Sequence, residues 1–194
     1  MVRLVLASRS PRRAELLRRM GLSFEVRAMD VDESVRPGEG PEAYVVRLAR
    51  RKAWAAAGAG GVVALGADTA VILDDRVLGK PVDAEDAITT LCALSGRSHR
   101  VMTGIAASDG VRTVSRSVVT EVRFRRIERW EAEAYWRTGE PVDKAGGYGI
   151  QGIGGIFAES IRGSYSAVVG LPLAETEELL RELGVNTWRE RTHD

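Results

Sequence analysis

The 194-residue chain has few of the residue types that most often carry catalysis, with two histidines, His99 and His193, and one cysteine, Cys92. A single cysteine cannot close an intramolecular disulfide, so nothing points to an oxidising compartment, and histidine acid–base chemistry has little material to work with. Long apolar runs are missing as well. Behind Met1-Val2-Arg3 the apolar stretch Leu4 to Ala7 is short, far from the ~20 residues of a membrane span, so neither a signal peptide nor a membrane anchor is expected and a cytoplasmic protein follows. Net charge is +1, with acids and bases interleaved and no basic tail or aromatic-studded basic stripe, which disfavours a nucleic-acid polymer as partner. Neither GxxxxGK[ST] nor GxSxG occurs, which removes phosphate-loop and serine-elbow chemistry. Lysine and glutamine are scarce too. Of 28 basic residues only Lys52, Lys80 and Lys144 are lysine, and Gln151 is the one glutamine; in a chain biased to Arg, Ala, Gly and Val, such rare types are candidates for positions that accept no substitute.

What is present builds a fold of one domain spanning residues 1–194, with room for two lobes. Leu4-Val5-Leu6-Ala7 reads as a short buried strand, and Ser10-Pro11 as an N-cap with proline at the first helical position. Leu16, Leu17 and Met20 make that helix's apolar stripe and Gly21 its left-handed stop. Phe24 to Val26 predicts a second strand and residues 30 to 40 an acidic loop. A helix over 41–58 follows, its inner face carrying Val45, Leu48, Ala49 and Ala56 together with Lys52. Val62 to Leu73 is nearly all apolar, the pattern of a central strand covered on both faces. A helix over 84–94 precedes strands over 100–107 and 111–124, which flank Asp109-Gly110, a dipeptide that favours a type I′ hairpin. Residues 128–138 read as helix, 143–155 are glycine-rich, Ala167-Val168-Val169 reads as a last strand, and Pro172 opens a closing helix with Leu173, Thr176, Leu180 and Leu183 on one side. Strands and helices alternating around one long hairpin predict an α/β protein with a mixed twisted sheet and flanking helices.

Four places could hold chemistry. Ser8-Arg9-Ser10-Pro11-Arg12-Arg13 joins a strand to a helix start, where unpaired N–H groups and forked guanidinium donors suit phosphate oxygens; cations there otherwise oppose the helix dipole. Asp68-Thr69 lies inside the apolar strand, and an ionised carboxylate there carries a large desolvation cost unless a metal or a cation compensates it. Lys52 either snorkels to the surface or points its ammonium inward, while Lys80 and Lys144 stand on turns from which a compact charge can reach a ligand. Gly147-Tyr148-Gly149-Ile150-Gln151-Gly152 matches GxGxxG by letters only, because Gly154-Gly155-Ile156-Phe157 behind it does not look helical. Its glycines can still admit a flat ligand, with the Gln151 amide reading a base edge. With His and Cys so few, a catalytic metal would be oxygen-ligated, Mg²⁺ or Mn²⁺, with Asp68 and the loop acids Asp30, Asp32 and Glu33 as candidates.

Five ordered blocks together resemble the Maf family of nucleotide pyrophosphatases, almost end to end. These are Leu6 to Leu17; Gly66-Ala67-Asp68-Thr69; Leu94-Ser95-Gly96 with His99 and Thr103-Gly104; Glu140-Pro141, Asp143 to Gly146 and Gly149 to Gly152; and Gly163-Ser164-Tyr165 with Val168 to Leu173. The resemblance implies an inosine triphosphate pyrophosphatase-like fold with two lobes around a nucleotide cleft, and a homodimer. It implies Asp68 as general base and metal-facing acid, Glu33 as a second metal acid, and Ser8, Arg13, Lys52 and Lys80 as triphosphate contacts. Arg12, Thr69 and Gln151 stand where family branches choose the base, and here they look like the dTTP/UTP branch. Ala167 is one departure, where many relatives carry asparagine. The implied reaction is metal-dependent cleavage of a pyrimidine nucleoside triphosphate to its monophosphate and pyrophosphate. A rival reading is a non-catalytic nucleotide-binding regulator of cell division; a phosphatase would share the anion site but give a different product.

Overall fold

In the computed structural model, which describes residues 2–58 and 61–190, the strands form a seven-stranded mixed sheet. In chain order the elements are β1 (Arg3–Leu6), α1 (Pro11–Arg19), β2 (Glu25–Val26), α2 (Pro41–Ala57), β3 (Val62–Leu73), β4 (Arg76–Leu78), α3 (Ala84–Leu94), β5 (Ser98–Ser108), β6 (Thr113–Phe124), α4 (Arg129–Arg137), β7 (Ala158–Arg162), α5 (Tyr165–Val169), α6 (Leu173–Glu182) and α7 (Thr187–Glu190). The strand order is β2-β1-β3-β5-β6-β7, with β4 paired to β3. β1 runs parallel to β2 and β3, whereas β3–β4 and β6–β7 are antiparallel. The α/β class with a mixed sheet is therefore as the sequence predicts. The chain divides into two compact units, residues 1–68 with 103–118 and 170–194, and residues 69–102 with 119–169.

In the first unit, α1 opens on Ser10, whose hydroxyl accepts from the Arg13 amide, with proline in the first turn, and Gly21 behind it has φ 70°. α2 buries Val45, Leu48, Ala49, Lys52 and Ala56, the predicted inner face, together with Ala53 and Ala57. Its seat is made by two glycines. A Cβ on Gly66 of β3 would stand 2.3 Å from the Ala49 carbonyl oxygen and 2.7 Å from the Ala53 nitrogen, and one on Gly104 of β5 would stand 2.5 Å from the Val45 oxygen. Neither glycine has a positive φ, so what each supplies is room for the helix backbone rather than an unusual conformation. Alanines complete the contact, with Ala49 and Ala53 packed on Ala106 and Ala56 and Ala57 on Ala64.

The second unit has the aromatic core. Phe124 lies edge-on to His99 (4.8 Å between ring centroids) and to Tyr148 (4.7 Å), and Tyr135 is edge-on to Phe157. His99 Nε2 and the Tyr148 hydroxyl are 2.8 Å apart, while His99 Nδ1 is buried without a hydrogen-bond partner. Burial pulls the His99 pKa down to about 4.

Three local expectations need correction. Ala167 to Val169 is not a strand but the end of α5, and the last strand is β7. The Ser164 hydroxyl accepts from the Ala167 amide and the Ser164 carbonyl from Val168, which winds the chain; an apolar triplet does not distinguish a buried strand from a buried helix. The hairpin of β5 and β6 exists, but its connection is four residues, 109–112, and only Gly110 has positive φ. The Asp109 carboxylate accepts from the Val111 and Arg112 amides at 2.8 and 2.7 Å, an arrangement that replaces the type I′ turn with a side-chain-capped loop. Positive φ at both central residues, the I′ signature, occurs instead at Asp74 (50°) and Asp75 (62°), with Leu73 and Arg76 paired across them. Finally, Ile153–Phe157 forms a 3-10 helix where no helix was expected.

Two predictions follow from this packing. Gly66→Ala drives a methyl into the α2 backbone and should destabilise the protein by about 1–3 kcal/mol, read from the urea midpoint, whereas Gly79→Ala, with nothing within 4 Å of its Cβ position, should leave the midpoint unchanged. Unfolded histidine titrates near ~6.5 and folded His99 near about 4, so the unfolded chain binds more protons between those values. This contribution to stability is intact above the higher pH and is lost as pH falls to the lower one. His99→Gln should flatten that part of the stability–pH curve.

Candidate active site

Side chains alternate along β3, so Gly66 and Asp68 share one face and Thr69 takes the other. α2 sits on the Gly66 face, which brings Lys52 over Asp68. The Lys52 Nζ lies 2.7 Å from Asp68 Oδ1 and 2.7 Å from Glu33 Oε1. Lys52 and Asp68 are both buried, at 8% and 9% exposure, whereas the Glu33 side chain is about half exposed. The desolvated acid in the apolar strand is thus compensated by an ammonium, and the inward reading of Lys52 holds.

The β1–α1 connection adds cations to the same unit. Arg13 donates from Nε to the Gly170 carbonyl at 2.9 Å and from Nη1 to the Ser8 hydroxyl at 3.3 Å, and the buried Ser8 hydroxyl also accepts from the Ser10 amide. Burial lowers the Arg13 pKa, the Asp68 charge opposes that shift, and neighbouring Arg12 adds to it; a guanidinium stays charged regardless. Ser8, Arg13, Glu33, Lys52 and Asp68 therefore belong to one charged cluster at the start of α1, with Arg12 in the adjoining helical turn. Of the three loop acids, only Glu33 joins it. Asp30 pairs with Arg9 at 2.8 Å on the surface, and Asp32 accepts from the amide and hydroxyl of Ser34.

The second unit holds the other sequence candidates. Thr69 is half-buried on β3, and Lys80 is exposed between β4 and α3, on a segment fastened by the Gly146 amide donating to the Gly79 carbonyl. The Lys144 ammonium donates to the Glu140 carbonyl at 2.7 Å and the Asp143 carboxylate at 2.8 Å, so it is engaged within its own turn. Gln151 is exposed on the turn that follows. That turn is organised by Glu140, which sequence reasoning gave no role. Its carboxylate accepts from the Tyr135 hydroxyl (2.7 Å) and the Ile153 and Gly154 amides (2.9 and 3.0 Å). Burial alone would raise the Glu140 pKa, but the Gly154 amide, the Tyr135 hydroxyl and the Ile153 amide outweigh it and the net shift is downward. The signal lay in the glycine density behind Glu140, since amides converge on one acid only where side chains leave room. A Cβ on Gly152 would stand 2.3 Å from that carboxylate.

Among the described residues no group of three or more His, Cys, Asp or Glu gathers as a metal cage. Asp68 and Glu33, converging on one ammonium, are a donor set that fits Mg²⁺ or Mn²⁺ in an open site, where one or two carboxylates bind and substrate phosphates and water complete the shell. A cluster of this kind, with arginine forks and a helix start beside two acids, can bind a polyphosphate and hold a carboxylate ready to take a proton.

Residues 3–183 match the family model described as Maf-like protein. A dTTP/UTP pyrophosphatase of Anaeromyxobacter dehalogenans is 56% identical over 187 residues, covering 94% of this chain and 94% of that protein. One of Saccharophagus degradans is 50% identical over 191 residues, covering 96% and 91%. Among solved structures, a nucleoside-triphosphatase / dITP/XTP pyrophosphatase from Mycobacterium abscessus gives a TM-score of 0.49 at 18% identity, over 95% of this chain and 100% of that one. Because the family match begins at the first residue of β1 and ends one residue past α6, taking in every element that builds the charged cluster, the chain belongs to the Maf-like family.

Proposed function

We propose that this chain hydrolyses pyrimidine nucleoside triphosphates, dTTP and UTP, to the monophosphate and pyrophosphate. The observation that carries the reading is the buried Lys52–Asp68 pair with Glu33 on the same ammonium, in a chain about half identical over nearly its full length to proteins named for that activity. In the reaction, Asp68 takes a proton from the attacking water. The water oxygen bonds the α-phosphorus, and the bond to the oxygen bridging the α- and β-phosphorus breaks, leaving pyrophosphate. Lys52 fixes the Asp68 carboxylate in place in a covered strand, and Arg13 with the Ser8 hydroxyl and the start of α1 binds phosphate oxygens as charge develops on the leaving group. Asp68 and Glu33 would hold the Mg²⁺ or Mn²⁺, which supplies charge neutralisation on the triphosphate.

Lys80 as a triphosphate contact and Arg12, Thr69 and Gln151 as base-selecting residues are proposed on the family resemblance, as is the homodimer, whereas Lys144 as a substrate contact is proposed from its place on a turn and the cytoplasmic setting from the sequence composition. Among the described residues no helix is long and apolar enough to cross a membrane.

Incubated with Mg²⁺ and dTTP, UTP, CTP, GTP or 7-methyl-GTP, the protein should release pyrophosphate fastest from dTTP and UTP; orthophosphate as first product would contradict the reaction. Asp68→Asn should lower kcat by roughly 10²–10⁴-fold, the usual scale for a lost general base, while a pyrimidine triphosphate still binds by calorimetry. A binder without turnover would show no such loss. Removing divalent metal with EDTA should abolish turnover and added Mg²⁺ restore it. Gln151→Ala should narrow the preference for UTP over CTP without abolishing either activity.

A further inference from the structure

Glu33 lies in a stretch, residues 27–36, with no helix, strand or turn of its own, yet its carboxylate meets the Lys52 ammonium. Something outside the stretch must hold it there. The backbone around Glu33 is held at three consecutive carbonyls. The Tyr44 hydroxyl donates to the Glu33 carbonyl at 3.0 Å, Arg47 Nη2 to the Ser34 carbonyl at 2.9 Å, and Arg51 Nη1 to the Asp32 carbonyl at 3.2 Å. All three donors come from α2, at positions i, i+3 and i+7, which share one side of a helix.

The donors are themselves braced. Arg47 forks onto the Glu39 carboxylate, at 2.5 Å from Nε and 2.6 Å from Nη2, and its guanidinium stands 5.6 Å from the centroid of the Tyr44 ring. Burial, then the charges of Asp68 and Glu33, raise the Tyr44 pKa, so the phenol remains a donor. The next residue after Arg51 is Lys52, the partner of both acids. One helix thus carries the ammonium and the grip on the loop that presents an acid to it.

We propose that Tyr44, Arg47 and Arg51 are positioning residues: they clamp the main chain at 32–34 so that Glu33 is delivered to Lys52 and Asp68. This rests on the pyrophosphatase reading, in which Glu33 faces the metal-bound triphosphate. A clamp that merely fastened a surface loop would act independently of the Glu33 side chain; a positioning clamp has no work left once that carboxylate is gone.

The test is a double-mutant cycle between the clamp and Glu33. Arg47 is left in place because its loss would strand Glu39, so the clamp variant is Tyr44→Phe with Arg51→Met. With dTTP and Mg²⁺ it should lose up to about 10²-fold in kcat, the scale of a misplaced catalytic group, and Glu33→Gln should lose at least as much. The triple variant should be no slower than Glu33→Gln alone. Hydrogen exchange at the amides of residues 32–35 should quicken in the clamp variant and stay at the wild-type rate in Glu33→Gln. Losses that multiply in the triple variant, or a clamp variant with wild-type kcat, would overturn the proposal. The same four proteins are titrated calorimetrically with Mg²⁺ and a pyrimidine triphosphate carrying an imido bridge between the α- and β-phosphorus. If the wild type makes no pyrophosphate, the functional reading fails on that result. The binding cycle then decides the clamp separately, non-additive losses sustaining it and additive ones sinking it.

Discussion

An ammonium 2.7 Å from a carboxylate, both buried between a helix and a strand, is the contact on which the rest of this protein depends. Each partner makes the other tolerable, because an unpaired charge at either position would carry the full cost of leaving water. Such pairs seldom add much net stability, since desolvation consumes most of the Coulomb attraction, yet losing one partner costs about 3–5 kcal/mol. Here a second acid, Glu33, shares the ammonium. The three groups form an asymmetric set, two negative charges on one positive, and Arg13, on which both acids act, brings the positive charge that evens it.

The surroundings serve that contact. Gly66 and Gly104 bring the α2 backbone onto the sheet, which sets the height at which Lys52 meets Asp68. The alanine-rich inner face of α2 keeps that distance short, where larger side chains would lift the helix. Arg13 reaches back from α1 to the Gly170 carbonyl and the Ser8 hydroxyl, so the chain's first helix, first turn and the residue after α5 are fastened at one cation.

Much of this was legible before any coordinates. The twelve-residue apolar strand, the capped first helix and the inner face of α2 follow from periodicity and capping chemistry, because each is decided by neighbours close in sequence. Asp68 and Lys52 were legible because each breaks an apolar pattern, and a broken pattern is informative when desolvation is the cost. What stayed hidden depends on long-range pairing. Nothing local separates Ala167 to Val169 as helix from the same letters as strand, and the Asp109 side chain's capture of two amides overrode a dipeptide preference. Glu140 was hidden for a related reason: its partners, Ile153 and Gly154, lie 13 and 14 residues on. Residue chemistry alone left Asp30, Asp32 and Glu33 alike; the family resemblance singled out Glu33, and the loop's path brings its carboxylate to Lys52.

The two-residue alternation of β3 has a consequence for how such a chain can change. Gly66 and Asp68 face α2 only while a single residue, Ala67, separates them. Inserting or deleting one residue there would turn the acid away from its lysine and present Thr69 or Ala67 in its place, although composition and hydropathy would scarcely alter. A change of length at this point in β3 therefore costs the site its acid, whereas one in a connection such as 109–112 puts no such alternation at stake.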